Sequence, residues 1–372
     1  MTEQNSNRTL PEETLAPSHP STAWPTTSTE ECYWRDIRQQ YMLVPNEIYL
    51  NTGSVGSQPR PVFECMLKGL RKTEQNPTIN RTFLLQQVDS ARSRLGGFLN
   101  IPPEDLAFTA NVTVAINMIV HDLDWKSGDE ILASDQEYGA IDNCLHHAER
   151  RWGLTVRRAR IPSSPDRPED ILTAFEAAFT DRTRLVLCSH ITTGTGLITP
   201  IKALADLAHA RGALIAIDGA HGPGMIPLDL GEYGCDFYGG NCHKWLCAPK
   251  GTGFLYAAPD VQERLHRIIV GWGYSREGPT RGVGGRLLIA NSPFMWGLEE
   301  WGTRDLASFA AVGTAVDFQE AIGREATAAR GRLLARYLRE HMAETGWAEL
   351  LTPTVPDMSG MISAFTSPAS VT

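Results

Sequence analysis

The chain has 372 residues, 42% of them hydrophobic, and a formal charge of −9, which is enough apolar material for a large core in more than one packed unit. The acidic balance disfavours a sequence-blind grip on nucleic acid or on an anionic membrane surface, since both call for concentrated Lys and Arg. Seven cysteines at irregular spacing argue against a disulfide scaffold and for reduced thiols in a cytoplasmic setting.

The chain opens without a basic segment followed by an apolar stretch, and no run approaches the length of a membrane span, so neither export nor membrane insertion is expected. Residues 1–40 are rich in Ser, Thr and Pro and read as an extended arm. Residues 48–51 look like a short strand entering the Gly-rich turn 52–59. The segment 61–72 predicts a helix with Phe63, Met66, Leu67 and Leu70 on its buried side, and a second helix follows over 83–99. From Asp105 onward apolar strands are predicted at 106–109, 130–133, 154–157, 184–188, 213–218, 236–238 and 253–256. Helical patterns alternate with them, for example 201–211 with Leu204, Leu207 and Ala208. The expected fold is α/β, with a mixed, mostly parallel sheet and a smaller terminal α+β domain. Residues 304–344 read as helices, and 360–365 as one last strand, too little by itself for a C-terminal lobe.

Several strand-to-helix junctions carry candidate chemistry. At 109–113 the backbone N–H groups of Asn111, Val112 and Thr113, with the Thr113 hydroxyl, can meet a phosphate at a positive helix end. Plain helix capping by Asn111 fits the same pattern. Tyr138, after the 130–133 strand, can stack on a flat heteroaromatic ring or seal the domain core. Thr192 and Thr193 share a turn where a hydroxyl can reach a ligand's phenolic oxygen or bond within the loop.

Asp218 ends an apolar strand, His221 follows in the next turn, and Lys244 lies 26 residues after Asp218 in the Gly-rich segment 239–253. A lysine and an aspartate so placed supply the two contacts needed on opposite sides of pyridoxal 5'-phosphate. Lys244 forms an imine with its aldehyde, and Asp218 keeps its pyridine nitrogen protonated, so that the ring withdraws electrons. Asn241 and His243 stand on the phosphate side, and Trp245 reads as a packing wall. Cys235, Cys242, His243 and Cys247 lack two close ligand pairs, so no metal is expected.

From Tyr49-Leu-Asn-Thr-Gly-Ser54 through Gly302-Thr-Arg-Asp305, and most specifically in Asp218-Gly-Ala-His221 and His243-Lys244, the sequence resembles class V aminotransferases. These belong to the fold-type I pyridoxal-phosphate enzymes, and the resemblance is to the isopenicillin N epimerase-like and cysteine desulfurase-like branch. The resemblance implies an N-terminal arm and part of a small domain over 1–50, a large cofactor domain over 51–290, and interdomain helices with an incomplete small domain over 291–372. It also implies a homodimer with shared active sites, in which Thr303 reaches the neighbouring subunit's phosphate. By the same resemblance Lys244 carries the imine, Asp218 pairs with the ring nitrogen and Tyr138 stacks on the ring. His221 lies near the phenolic oxygen, and Thr113, Asn241 and His243 face the phosphate.

Two departures bear on the reaction. No cysteine follows Cys247, which argues against a persulfide-forming desulfurase, and no Arg or Lys follows Arg339, where a carboxylate-binding arginine is customary. Asn51, Arg81, Arg276 and Arg281 are the candidate substrate contacts. The favoured expectation is a lyase of specialised metabolism that expels a β-sulfur group from an amino acid or cysteine S-conjugate. Epimerisation, transamination and decarboxylating deamination are the alternatives.

Overall fold

The computed structural model describes residues 31–267, 269–271 and 293–366, so Arg276, Arg281 and most of the N-terminal arm lie outside the described residues. Seven strands, β1 Leu106–Thr109, β2 Glu130–Ser134, β3 Thr155–Ala159, β4 Thr183–Ser189, β5 Leu214–Gly219, β6 Phe237–Asn241 and β7 Gly253–Ala257, form one sheet in the order β1-β7-β6-β5-β4-β2-β3. The pairs from β6 through β3 are parallel, and β7 runs antiparallel to both its neighbours. The helices in chain order are α1 Glu31–Gln39, α2 Arg60–Gln75, α3 Pro77–Leu99, α4 Val112–Asp122, α5 Gly139–Trp152, α6 Pro168–Ala178, α7 Ile201–Ala210, α8 Leu230–Tyr233, α9 Pro293–Glu299, α10 Leu306–Ile322 and α11 Arg324–Thr345. Among the described residues no helix is long and apolar enough to cross a membrane.

Helices cover both faces of the sheet, which is why its central strands read as continuous apolar runs. Alternate residues of each strand enter opposite cores. Leu132, Val186, Ile215 and Ile217 pack with residues of α3, α6, α7 and α10, whereas Ile131, Leu185, Leu187 and Ala216 pack with α4 and α5.

Two expected strands are absent. Residues 48–51 form no ladder, and Ile48 and Leu50 stand 82% and 77% exposed. The Tyr49 hydroxyl donates to the carbonyls of Asn51 and Val55, curling the segment into a turn. Residues 360–365 contribute only one bridge, Phe365 to Leu350. There the Arg339 guanidinium donates to the carbonyls of Gly360 and Ile362 and to the hydroxyls of Ser359 and Ser363, engaging acceptors that a neighbouring strand would otherwise need. The helix expected from 83 begins at Pro77, preceded by the Asn76 side chain accepting from Ile79 N–H.

A buried ion-pair network fixes the join between α9 and the sheet. Arg92 of α3, 2% exposed, donates to both Glu299 oxygens at 2.8 and 3.1 Å; Phe108 N–H of β1 donates at 2.9 Å, and Arg304 also donates. Burial alone would raise the Glu299 pKa, but the charges of Arg92 and Arg304 and these hydrogen bonds outweigh it and hold the carboxyl below its ordinary value. Glu299→Ala removes the bidentate partner of buried Arg92 and leaves it, among the described residues, only the partly exposed Asp89 at 3.3 Å. It is expected to lower stability by about 3–5 kcal/mol, read as a lower urea midpoint at unchanged slope.

Candidate active site

The candidate residues gather at the carboxyl ends of the parallel strands, where open α/β sheets bind ligands because the connecting loops diverge there. The turn after β2 brings Tyr138, the loop after β4 brings Thr193, β5 ends on Asp218 before His221, and β6 leads into His243 and Lys244. The N-terminal turn closes over the lysine. Gly56 N–H donates to His243 O at 2.8 Å, and Lys250 Nζ donates to Gly56 O at 2.8 Å. A Cβ on Gly53 would lie 3.4 Å from the Trp245 ring and 3.5 Å from His221, so the segment that carries Asn51 adjoins the lysine cluster.

A Cβ on Gly56 would stand 2.0 Å from Lys244 O, an approach no side chain can make without moving that backbone. Gly56→Ala is therefore expected to shift Lys244 by a sizeable fraction of an ångström and lower turnover about 10²-fold in a folded protein, measured as kcat beside circular dichroism.

Asp218 is 3% exposed, and its Oδ1 accepts from Ala220 N–H at 2.9 Å. Burial pushes its pKa up, while that N–H and the Lys244 charge pull it down. Burial lowers the Lys244 pKa, and the Asp218 charge opposes this. His221 is pushed down to about 3, first by burial and then by Lys244, so it is neutral at physiological pH. The Trp245 indole N–H donates to His221 Nδ1 at 3.1 Å. Because an indole can only donate, the imidazole proton is assigned to Nε2. Nε2 lies 3.2 Å from Thr193 Oγ1 and 3.3 Å from Lys244 Nζ. An N–H facing the amine favours the uncharged form of Lys244, in the same sense as its lowered pKa. The Tyr138 ring centroid is 6.0 Å from Nζ, and the residue is 48% exposed, which removes the core-sealing alternative.

On the other flank, Asn111 caps α4 by accepting from Val114 N–H at 3.0 Å. Asn241 Oδ1 accepts from Val112 N–H at 2.9 Å, so the Asn241 amide is engaged in holding the start of α4. Thr113, partly exposed, stands in the first turn of that helix, and His243 Nδ1 donates to Thr252 O at 3.0 Å. Thr192 bonds within its own turn, to Thr195 Oγ1 and Leu197 N–H, and only Thr193 reaches the cluster. Arg81 and Thr303 line a separate cavity of about 310 Å³ with Glu300 and Arg304, and that lining holds none of Lys244, Asp218 and His221.

Two residues of the site escaped the sequence reading. Trp245, expected as a packing wall, sets the His221 tautomer. Glu137 places a carboxylate between Ser134 and Ser189 at the ends of β2 and β4. The available signal was a serine closing each of two otherwise apolar strands, with an acid beside Tyr138.

These residues fit pyridoxal 5'-phosphate by their own chemistry. Lys244 offers a deprotonatable amine for an aldehyde, buried Asp218 offers a carboxylate for a ring nitrogen, and Tyr138 offers an exposed ring face; at the start of α4 the expected Val112 N–H is instead taken by Asn241, which leaves the partly exposed Thr113 to offer a phosphate contact. Sheet and site together define a pyridoxal-phosphate-dependent enzyme acting on amino-acid substrates. The family model "Aminotransferase class-V" matches residues 48–369, and the chain belongs to that family. It is 38% identical to the isopenicillin N epimerase of Amycolatopsis lactamdurans, over 90% of this chain and 85% of that protein. It is 39% identical to that of Streptomyces clavuligerus, over 90% and 84%. Among solved structures, the cystine C-S lyase C-DES bound to its product cysteine persulfide superposes with a TM-score of 0.75 at 23% identity. That match covers 84% of this chain and 83% of that one, and it speaks to the fold alone.

Proposed function

We propose that the chemical step is removal of the α-proton of an amino-acid substrate by Lys244, with delivery of a solvent-derived proton to the same carbon on the opposite face, an epimerisation. The observation that carries the proton-transfer reading is the amine of Lys244, its pKa lowered by burial, held 3.3 Å from neutral His221 beside buried Asp218. When bound, pyridoxal phosphate supplies an electron sink for the charge left at the α-carbon. Asp218 would hold the ring nitrogen's proton, the start of α4 with Thr113 and His243 would seat the phosphate, and Tyr138 would cover the ring face. Asn51 would stand on the substrate side. The two isopenicillin N epimerases support the return of a proton, although the sequence alone placed elimination first.

Elimination of a β-sulfur substituent is the second reading, because it needs the same amine and the same electron sink. The surrounding thiols favour it over sulfur transfer to the protein. Cys242 and Cys247 are buried, and burial pushes both thiols up, Cys247 to about 11, so neither offers a thiolate to accept sulfur. The working unit in this proposal is a cytoplasmic homodimer, supported by seven free cysteines and by the separation of Thr303 and Arg81 from Lys244 within one chain.

Mass spectrometry on a panel of amino acids and cysteine S-conjugates in heavy water tests the two readings. Substrate of inverted chirality carrying α-deuterium supports epimerisation. Release of a thiol with an α-keto acid overturns it in favour of elimination.

A further inference from the structure

The turn that carries Tyr138 holds a carboxyl group that the chemistry above does not use. Glu137 accepts from Ser134 Oγ at the end of β2, and from Ser189 Oγ at 2.7 Å and Ser189 N–H at 3.3 Å at the end of β4. Ser189 is the register partner of Asp218 on β5. One carboxyl group therefore lies a strand away from the residue that would meet the ring nitrogen and a residue away from the one that would cover the ring face.

We propose that Glu137 is a positioning residue for the cofactor: it staples the Tyr138 turn to the strand beside Asp218 and, by holding or releasing one proton, sets the charge next to Asp218. This role rests on the reading of the site as a pyridoxal-phosphate site. Burial, and to a lesser extent the Asp218 charge, push Glu137 up against the pull of the two serine hydroxyls and the Ser189 N–H, to about 7 in balance. The groups around it are few. β5 supplies Asp218, and β4 supplies the Cys188 thiol, itself pushed up first by burial and then by the Glu137 charge. On β3, Arg158 donates to Ser134 O and pairs with Asp142 of α5 at 2.8 Å, and Asp135 of the same turn accepts from Ile161 N–H. Lys244 lies beyond Asp218. Below the Glu137 pKa the strand ends carry the Asp218 charge alone, and above it they carry two negative charges. The second charge strengthens the hold on a proton at the ring nitrogen and favours the charged form of Lys244.

The test compares the cofactor-free wild type, Glu137→Gln and Glu137→Ala, each titrated with pyridoxal phosphate across the pH range in which a carboxyl poised near 7 changes charge. The readouts are the dissociation constant and the absorption spectrum of the bound cofactor. The wild-type spectrum is expected to shift with an inflection near that pH. Glu137→Gln, which keeps the bridge to the serines but has no proton to lose, should bind within about twofold and show no such inflection, whereas Glu137→Ala should bind about tenfold more weakly. A purely structural role would leave the inflection in the Gln variant, and that outcome, or wild-type binding by the Ala variant, overturns the proposal. If Glu137→Ala does not fold, the Gln variant decides. Failure of the wild type to take up pyridoxal phosphate would overturn the site reading and this role together, whereas uptake with unchanged variants overturns this role alone.

Discussion

Lys244→Ala is expected to yield a folded protein that retains no borohydride-fixable cofactor and exchanges substrate α-protons about 10⁴-fold more slowly, the upper end for loss of a positioned base. The fold should survive, because the lysine's lowered pKa shows that burial works against its charged form. Its removal takes away a partly desolvated amine and leaves the apolar sheet beneath untouched. The effect on chemistry is large because, among the described residues, the ring nearest the amine cannot replace it. His221, 3.3 Å away, has its Nδ1 lone pair engaged by the Trp245 indole and presents only an N–H toward the amine position. Burial, the larger of the two effects that lower its pKa, persists without Lys244 and keeps it a weak base. Borohydride reduction followed by denaturing mass spectrometry reads the attachment, and deuterium uptake at the substrate α-carbon reads the rate. Retention of a reducible attachment in the alanine variant would show that another amine performs this role.

How far the sequence could be read follows from what sets each element. The strands β1, β2, β4, β5 and β7 were legible because a sheet covered on both faces makes nearly every residue apolar, whereas the edge strand β3, with Arg157 and Arg158, and the Gly-containing β6 were legible from their place in the alternation with helical patterns. Asp218 and Lys244 were legible because each sits where a strand or a Gly-rich turn leaves few conformations. The stretches 48–51 and 360–365 looked equally apolar, yet a strand needs a partner edge, and local composition does not show whether one is there. A distant side chain, Arg339, engages the carbonyls of the second stretch. Glu137 and Trp245 escaped for a related reason. Their roles exist only through partners on other strands and turns: Ser189 lies 52 residues from Glu137, and His221 lies 24 residues from Trp245. Asn241 was legible as a residue of the site but not in its engagement, because its bond to Val112 N–H spans 129 residues.

Asp218→Asn separates the electron sink from the base. The substitution is nearly isosteric, and the amide can keep accepting from Ala220 N–H, so the loop that carries His221 should hold its course. Burial raises the Asp218 pKa and so works against its charged form, which means that a neutral side chain relieves a cost of folding; stability should be unchanged or higher. The Asp218 charge is also the effect that raises the Lys244 pKa against burial. Without it the Lys244 pKa falls further, so more of the lysine is free amine but that amine is a weaker base; the pH dependence of exchange therefore separates a change in the base from loss of the electron sink. What is lost is the carboxylate that would balance a positive ring nitrogen. α-Proton exchange is expected to fall about 10²–10³-fold, comparable to removing one preorganised charge-stabilising contact, while borohydride-fixable cofactor is retained. This outcome is the complement of the Lys244→Ala result, in which attachment is lost and exchange falls by a larger factor. Exchange within about threefold of wild type, less than one kcal/mol of lost stabilisation, would remove Asp218 from the chemistry and reduce it to an anchor of the loop that carries His221.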